Sequence, residues 1–246
     1  VQGTLGDAEP LGSVAAWEGD QVTVWDSTQA VFRTRSSVAD ALDMPMDKIR
    51  VICEYMGGGF GSKLTGLEPY SLMAVLAARE TGRPVKAMLD REEEHLAAGY
   101  RPGSRQRVRL GARQDGTLTF IEHTARIATG AFGGGGSIIG GPAKDLYRCP
   151  NVRTVVWASR VNTDKSRAFR APGYVEGTFA LESAMDALAH ELGLDPLDLR
   201  MKNYAEISPL REQPYTFKGL RQAYEMGAER AGWREREDAG RQEGPW

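Results

Sequence analysis

Cysteine and histidine are scarce, with two and three residues in a chain of 246. Cys53 and Cys149 are too few and too far apart for a disulfide framework. With no CxxC pair and no histidine nearby they make no zinc site, so they fit a reducing compartment and read as inert packing residues. His95, His123 and His190 have no suggestive neighbours and read as structural or surface residues. Long apolar runs are missing too: the longest, Leu72 to Ala78, is far too short to span a bilayer. Nor does one sign of charge dominate. The net charge of −2 offers no general attraction to nucleic acid or acidic membrane. The opening Val1-Gln2-Gly3-Thr4 has no basic region, apolar stretch or initiating Met. No signal peptide is visible, and a processed or excised segment is expected.

What is present is an ordinary globular composition, 41% hydrophobic and 26% charged, in a chain long enough to bury a sizeable core. Gln21–Trp25 alternates like a strand, and Ser36–Leu42 reads as a short helix ending near Pro45. A strand from Ile49 puts Ile49, Val51, Cys53 and Tyr55 on its more buried face. Glu68–Thr81 carries Leu72, Val75, Leu76 and Arg79 at helical spacing, and a strand over Pro84–Asp90 turns Val85, Ala87 and Leu89 inward. Arg105–Gly111 and Thr117–Thr124 flank Asp115-Gly116, a strong hairpin signal. Gly130–Gly141 has seven glycines in twelve positions and reads as a loop that moves or passes close to a ligand. Arg153–Val161 is a further strand. Tyr174–Leu192 is a helix with Leu181, Met185, Leu188 and Leu192 on one face. Asp195 caps another helix, with Pro196 first and Asp198 completing a capping-box-like pattern. Gly219–Gly232 is a last amphipathic helix before a charged tail. Without regular βαβ alternation or an internal repeat, the pattern predicts an α+β fold of mixed sheets with packed helices.

The most informative stretch is Met56-Gly-Gly-Gly-Phe-Gly-Ser-Lys63, where a strand runs into clustered glycines. Glycine at a strand end serves close backbone approach, and the freed N–H groups can hold an anion or an oxygen-rich cofactor. A phosphate-binding P-loop is excluded in detail, because Lys63 lacks a preceding glycine and a following hydroxyl residue. A dinucleotide fingerprint fails at Ser62, where its third glycine should stand, and Asp90 lies beyond the usual distance for a ribose-binding acid. From the residues alone, a structural turn and a ligand-facing turn both stay open.

Four ordered blocks resemble the molybdenum hydroxylases, the aldehyde oxidase and xanthine dehydrogenase family. They are the glycine motif, Trp25-Asp-Ser-Thr-Gln29, the Arg101-Pro102 region with its hairpin, and Ser166-Arg-Ala-Phe-Arg-Ala-Pro-Gly173 continuing through Glu182–Leu188 to Leu194–Asn203. The resemblance covers residues 8 to 235. It implies that residues 1–246 are a single molybdopterin-binding domain, the first of a larger molybdenum-binding subunit. The metal is then held by a pterin dithiolene, as molybdenum-molybdopterin in a dinucleotide form, with no side-chain ligand from this chain. It also implies hydroxylation with water-derived oxygen, 2Fe-2S and FAD groups on partner modules, and a cytoplasmic site, or a periplasmic one through a partner's export signal. Gln29 matches the glutamine that donates to an oxo group on the metal, and Arg170 the arginine beside the metal centre. Gly58, Gly59, Phe60 and Gly61 match the turn whose amides face pterin and metal, with the glycines read as clearing the cofactor. Lys63, Arg101 and Arg200 read as structural.

The chain departs from the purine-oxidising members in its substrate-pocket positions. Leu64 stands where they have a glutamate, Ile138 falls near the place of an arginine, and Pro172 aligns with a stacking phenylalanine. Apolar groups there would leave a purine's polar atoms unpaired, at about 1–3 kcal/mol each, which favours an aldehyde or related carbonyl compound. The family's catalytic glutamate has no match, since Glu243 is not a credible one. The isolated chain is therefore expected to be inactive, and a degenerate assembly or scaffold relative is the competing expectation.

Overall fold

The computed structural model describes residues 9–131 and 138–236, which fall into two compact units. The elements in chain order are β1 (Gly12–Glu18), β2 (Gln21–Asp26), α1 (Val31–Leu42), β3 (Ile49–Ile52), α2 (Pro69–Thr81), β4 (Val85–Met88) and α3 (Arg91–Ala97). They continue with β5 (Ser104–Ala112), β6 (Leu118–Thr129), α4 (Gly141–Asp145), β7 (Val152–Arg160), α5 (Tyr174–Leu192), α6 (Pro196–Lys202), β8 (Ile207–Ser208), β9 (Gln213–Pro214) and α7 (Leu220–Arg230). The architecture is mixed α+β with helices packed on mixed sheets, as the pattern predicts.

The first unit comprises residues 1–105, 125–139 and 156–176. Its four-stranded sheet has the order β3-β2-β1-β4. β1 pairs antiparallel with both β2 and β4, while β2 and β3 run parallel with Val24 opposite Val51. Alternation places Val22 and Val24 inward, where they meet Val38 of α1 and Ala74, Val75 and Ala78 of α2. The third inward residue of β2 is Asp26, whose carboxylate accepts from the hydroxyls of Ser13, Ser71 and Thr34. Burial pushes its pKa up against those bonds.

Three sequence expectations change here. α1 starts at Val31 rather than Ser36: the Thr28 hydroxyl takes the Ala30 N–H, and Thr34 is buried against it. β3 stops at Ile52, because its partner β2 ends at Asp26, and Tyr55 stands 89% exposed beyond it. Cys53 is accordingly half-buried rather than part of a buried strand. α2 buries Ala74, Val75 and Ala78 with Tyr70 and Ser71, leaving Leu76 and Met73 at the surface. Small residues face β1 here, and Trp17 donates its ring N–H to the Val75 carbonyl at 3.0 Å.

The second unit comprises residues 106–124, 140–155 and 177–246. The expected hairpin forms, with Gly116 at φ +85° and its N–H on the Arg113 carbonyl. Its core gathers Leu118, Ile121, Tyr147, Leu181, Met185 and Leu199. α5 has the expected bounds, but its buried stripe is Gly177, Leu181, Met185 and Ala189; Leu188 and Leu192 are only half-buried. Asp195 caps α6 by accepting from the Leu197 and Asp198 N–H groups. The capping box does not close, because the Asp198 carboxylate binds Arg234 instead. α7 buries no residue. Among the described residues no helix is long and apolar enough to cross a membrane. Residues 132–137 of the glycine-rich stretch, and the tail from 237 with Glu243, lie outside the described residues.

Candidate functional site

The first unit brings three distant segments together: the residues after β2, the glycine turn after β3, and the loop before α5. Gln29 follows β2 directly. Its backbone N–H binds the Lys63 carbonyl at 2.8 Å, and its side-chain Oε1 accepts the Gly61 N–H at 2.7 Å. With the oxygen engaged, the amide NH2 is the part of Gln29 left to donate. The Phe60 carbonyl accepts the Arg170 N–H at 2.7 Å, which fixes the turn to the arginine loop. Gln29 and the Arg170 backbone are thus both tied to the turn that carries Phe60.

The glycines explain how so close an approach is reached. A Cβ on Gly59 would stand 2.7 Å from Gln29 Oε1 and 2.8 Å from two carbons of that side chain. Gly61, at φ +107°, would put a Cβ 2.5 Å from the Ala168 carbonyl oxygen. A Cβ on Gly58 would meet the Phe60 ring. The protein's own packing therefore already requires glycine at 59 and 61, a reason nearer than the cofactor clearance expected from sequence. The exposed Phe60 holds φ +45°. The N–H groups of Gly58, Gly59 and Phe60 have no hydrogen-bond partner among the described residues. Consecutive amides without an internal partner at such a turn can hold an anion or an oxygen-rich ligand.

Arg101, read from sequence as structural, and Arg167 hold the arginine loop. Arg101 donates to the carbonyls of Phe169 at 2.8 Å and Arg170 at 2.9 Å, pairs with Glu176 at 3.0 Å, and lies over the Phe169 ring at 4.7 Å. Arg167 binds Glu68 through two nitrogens at 2.7 and 2.9 Å, with both side chains 8% exposed. It also reaches the Ser62 carbonyl at 3.3 Å. Ala171 then turns at φ +55°, and a Cβ on Gly173 would collide with the backbone of Ile138. The Arg170 side chain is exposed, with no hydrogen bond or ion pair among the described residues.

Leu64, Ile138 and Pro172 are all exposed, and the structure brings Ile138 against the segment just after Pro172. Leu64 follows Lys63 and gives its carbonyl to Arg33 at 3.0 Å. Sequence reasoning missed Glu9, whose carboxylate takes bonds from Lys63, Gly57 and Ser27. Partial burial opposes its ionisation, but those bonds prevail and lower its pKa to about 2. It also missed Glu68 and Arg167. These pairs are up to 99 residues apart and leave no local spacing to read. Arg200 belongs to the second unit, bound to Glu182 and Asp186. His123 there is buried on Gln106, and burial lowers its pKa.

Residues 7–204 match the family model described as the molybdopterin cofactor-binding domain. The chain is 35% identical over 236 residues to the aldehyde oxidoreductase molybdenum-binding subunit PaoC of Escherichia coli (strain K12), covering 93% of this chain and 31% of that one. It is 33% identical over 237 residues to the putative xanthine dehydrogenase molybdenum-binding subunit XdhA of the same organism, with the same coverage. Among solved structures, quinoline 2-oxidoreductase from Pseudomonas putida 86 superposes with a TM-score of 0.84 at 26% identity, over 96% of this chain and 32% of that one. Aldehyde oxidoreductase from Desulfovibrio gigas gives 0.82 at 26%, over 94% and 26%. The chain thus spans about a third of the length of the curated relatives it matches. It belongs to the molybdopterin cofactor-binding domain family, related to the molybdenum-binding subunits of aldehyde oxidase and xanthine dehydrogenase-type oxidoreductases.

Proposed function

We propose that residues 1–246 form a cofactor-cradling domain of a larger molybdenum-dependent oxidoreductase subunit that hydroxylates an aldehyde or related carbonyl compound. The residues suit the cofactor: among the described residues three amides, the Gln29 side-chain NH2 and the Arg170 guanidinium carry no hydrogen bond, and all are donors suited to oxygen ligands. In this function Gly58, Gly59, Phe60 and Gly61 border the cofactor, and the amides of the first three donate to it. Gln29 donates from its NH2, oriented by the Gly61 bond. Arg170 supplies a permanently charged fork near oxygens that gain negative charge on reduction. The bound cofactor supplies two-electron oxidation of the substrate carbon, with oxygen from water. The chain's own part is to bind, orient and hold charge.

Leu64, Ile138 and Pro172 form the substrate-pocket side of this proposal. None carries a side-chain donor, so a purine would leave several polar edge atoms unpaired and a small carbonyl compound at most its one oxygen. The remaining part of the subunit and partner modules carrying 2Fe-2S and FAD would complete the enzyme and remove electrons, in the cytoplasm or, with a partner's export signal, the periplasm.

The carrying observation is the bond from the Gly61 N–H to Gln29 Oε1, which leaves the Gln29 NH2 to donate at a turn with three amides unpartnered among the described residues. Its test is Gln29→Met in the full-length subunit with its partners. We expect retained molybdopterin and aldehyde turnover to fall about 10- to 100-fold, the loss of one bond to a charged group. A wild-type subunit without molybdenum would end this function and leave the scaffold alternative.

A further inference from the structure

Glu9 Oε2 accepts from three donors: the Lys63 ammonium at 2.8 Å, the Ser27 hydroxyl at 2.8 Å and the Gly57 N–H at 2.8 Å. The Lys63 side chain is fully buried, and its ammonium also reaches the Glu9 carbonyl at 3.2 Å. These donors come from separate parts of the site. Ser27 lies two residues before Gln29, Gly57 opens the glycine turn, and Lys63 closes it. The Lys63 carbonyl in turn accepts the Gln29 N–H at 2.8 Å and the Thr28 hydroxyl at 3.3 Å. Gly57 admits this arrangement, since a Cβ there would lie 2.5 Å from the Glu9 Cβ.

We propose that Glu9 is a positioning residue: by joining Ser27, Gly57 and Lys63 through one carboxylate oxygen, it sets the distance between Gln29 and the open amides of the glycine turn. An ionised carboxylate suits this place. It neutralises a buried ammonium and accepts several bonds at once, whereas a glutamine would leave the ammonium uncompensated. The proposal depends on the functional assignment only for the ligand that the turn receives.

The bland alternative is that Glu9 merely balances the Lys63 charge. The double variant Glu9→Met with Lys63→Met separates the two, because it removes both charges together. Ser27→Ala removes one donor and leaves the ion pair alone. In the full-length subunit, amide hydrogen exchange over residues 27–29 and 57–63 is measured beside retained pterin, read by fluorescence after release and oxidation. The double variant is expected to exchange about tenfold faster over 57–63, as for the loss of one hydrogen bond, and to retain correspondingly less pterin. Ser27→Ala is expected to speed exchange over 27–29 several-fold. Wild-type exchange in the double variant, or in Ser27→Ala should the double variant not fold, overturns the proposal. A wild-type subunit holding no pterin refutes the functional assignment, while the exchange still decides the role of Glu9.

Discussion

Gly61→Ala is the sharpest probe of how the site is built. Two costs add at this position. The backbone holds φ +107°, where an L-residue is strained by about 1–3 kcal/mol. A Cβ would also stand 2.5 Å from the Ala168 carbonyl oxygen and 2.8 Å from its carbon, so backbone must move, at about 1–3 kcal/mol for overpacking. The sum is about 4 kcal/mol, which for a chain of this size lowers the melting temperature by roughly 8–16 °C. Gly82→Ala is the matched control. It has φ +61° with nothing within 4 Å of the added carbon, so only about 1 kcal/mol of strain and roughly 2–4 °C are expected. Both are read by thermal unfolding in one buffer. Equal shifts in the two variants would refute the claim that the turn is pressed against the arginine loop.

Other outcomes follow from the same geometry. Arg101→Met removes two carbonyl contacts and the Glu176 ion pair; a loss of about 2–3 kcal/mol is expected by chemical denaturation, less for Arg101→Lys. Glu68→Gln alone should cost about 3 kcal/mol, while Glu68→Leu combined with Arg167→Met should cost clearly less; additive effects in a double-mutant cycle would contradict the buried-pair assignment. Because the folded pKa of Glu9 is lowered from 4.5 to about 2, its contribution is present above pH 4.5 and lost as pH falls toward 2; Glu9→Gln should flatten that limb of a stability–pH curve. Asp26 has the opposite sign. Its raised pKa gives stability below pH 3.8 that is lost as pH rises through the folded value, so Asp26→Asn should remove that decline.

Much of the fold was legible where a local rule was strong. Alternation marked β2, Asp115-Gly116 marked the β5–β6 hairpin, and apolar spacing marked α5. Errors fell where a partner decides. β1 is rich in alanine and is a strand because it lies between β2 and β4. β3 ends where β2 ends, whatever the hydrophobicity of Cys53 and Tyr55. The capping box of Asp90 and Glu93 that starts α3 was a readable signal passed over.

The amino-acid order alone carried the α+β class, the glycine turn and the kinship, because each rests on residue types at short spacing along the chain. It also named Gln29, Phe60 and Arg170. Tertiary structure alone decided what each glycine clears, and that Glu9, Glu68, Arg101 and Arg167 hold the three segments in place. Those contacts join residues 18 to 105 positions apart, and at such separations only the folded backbone brings donor to acceptor.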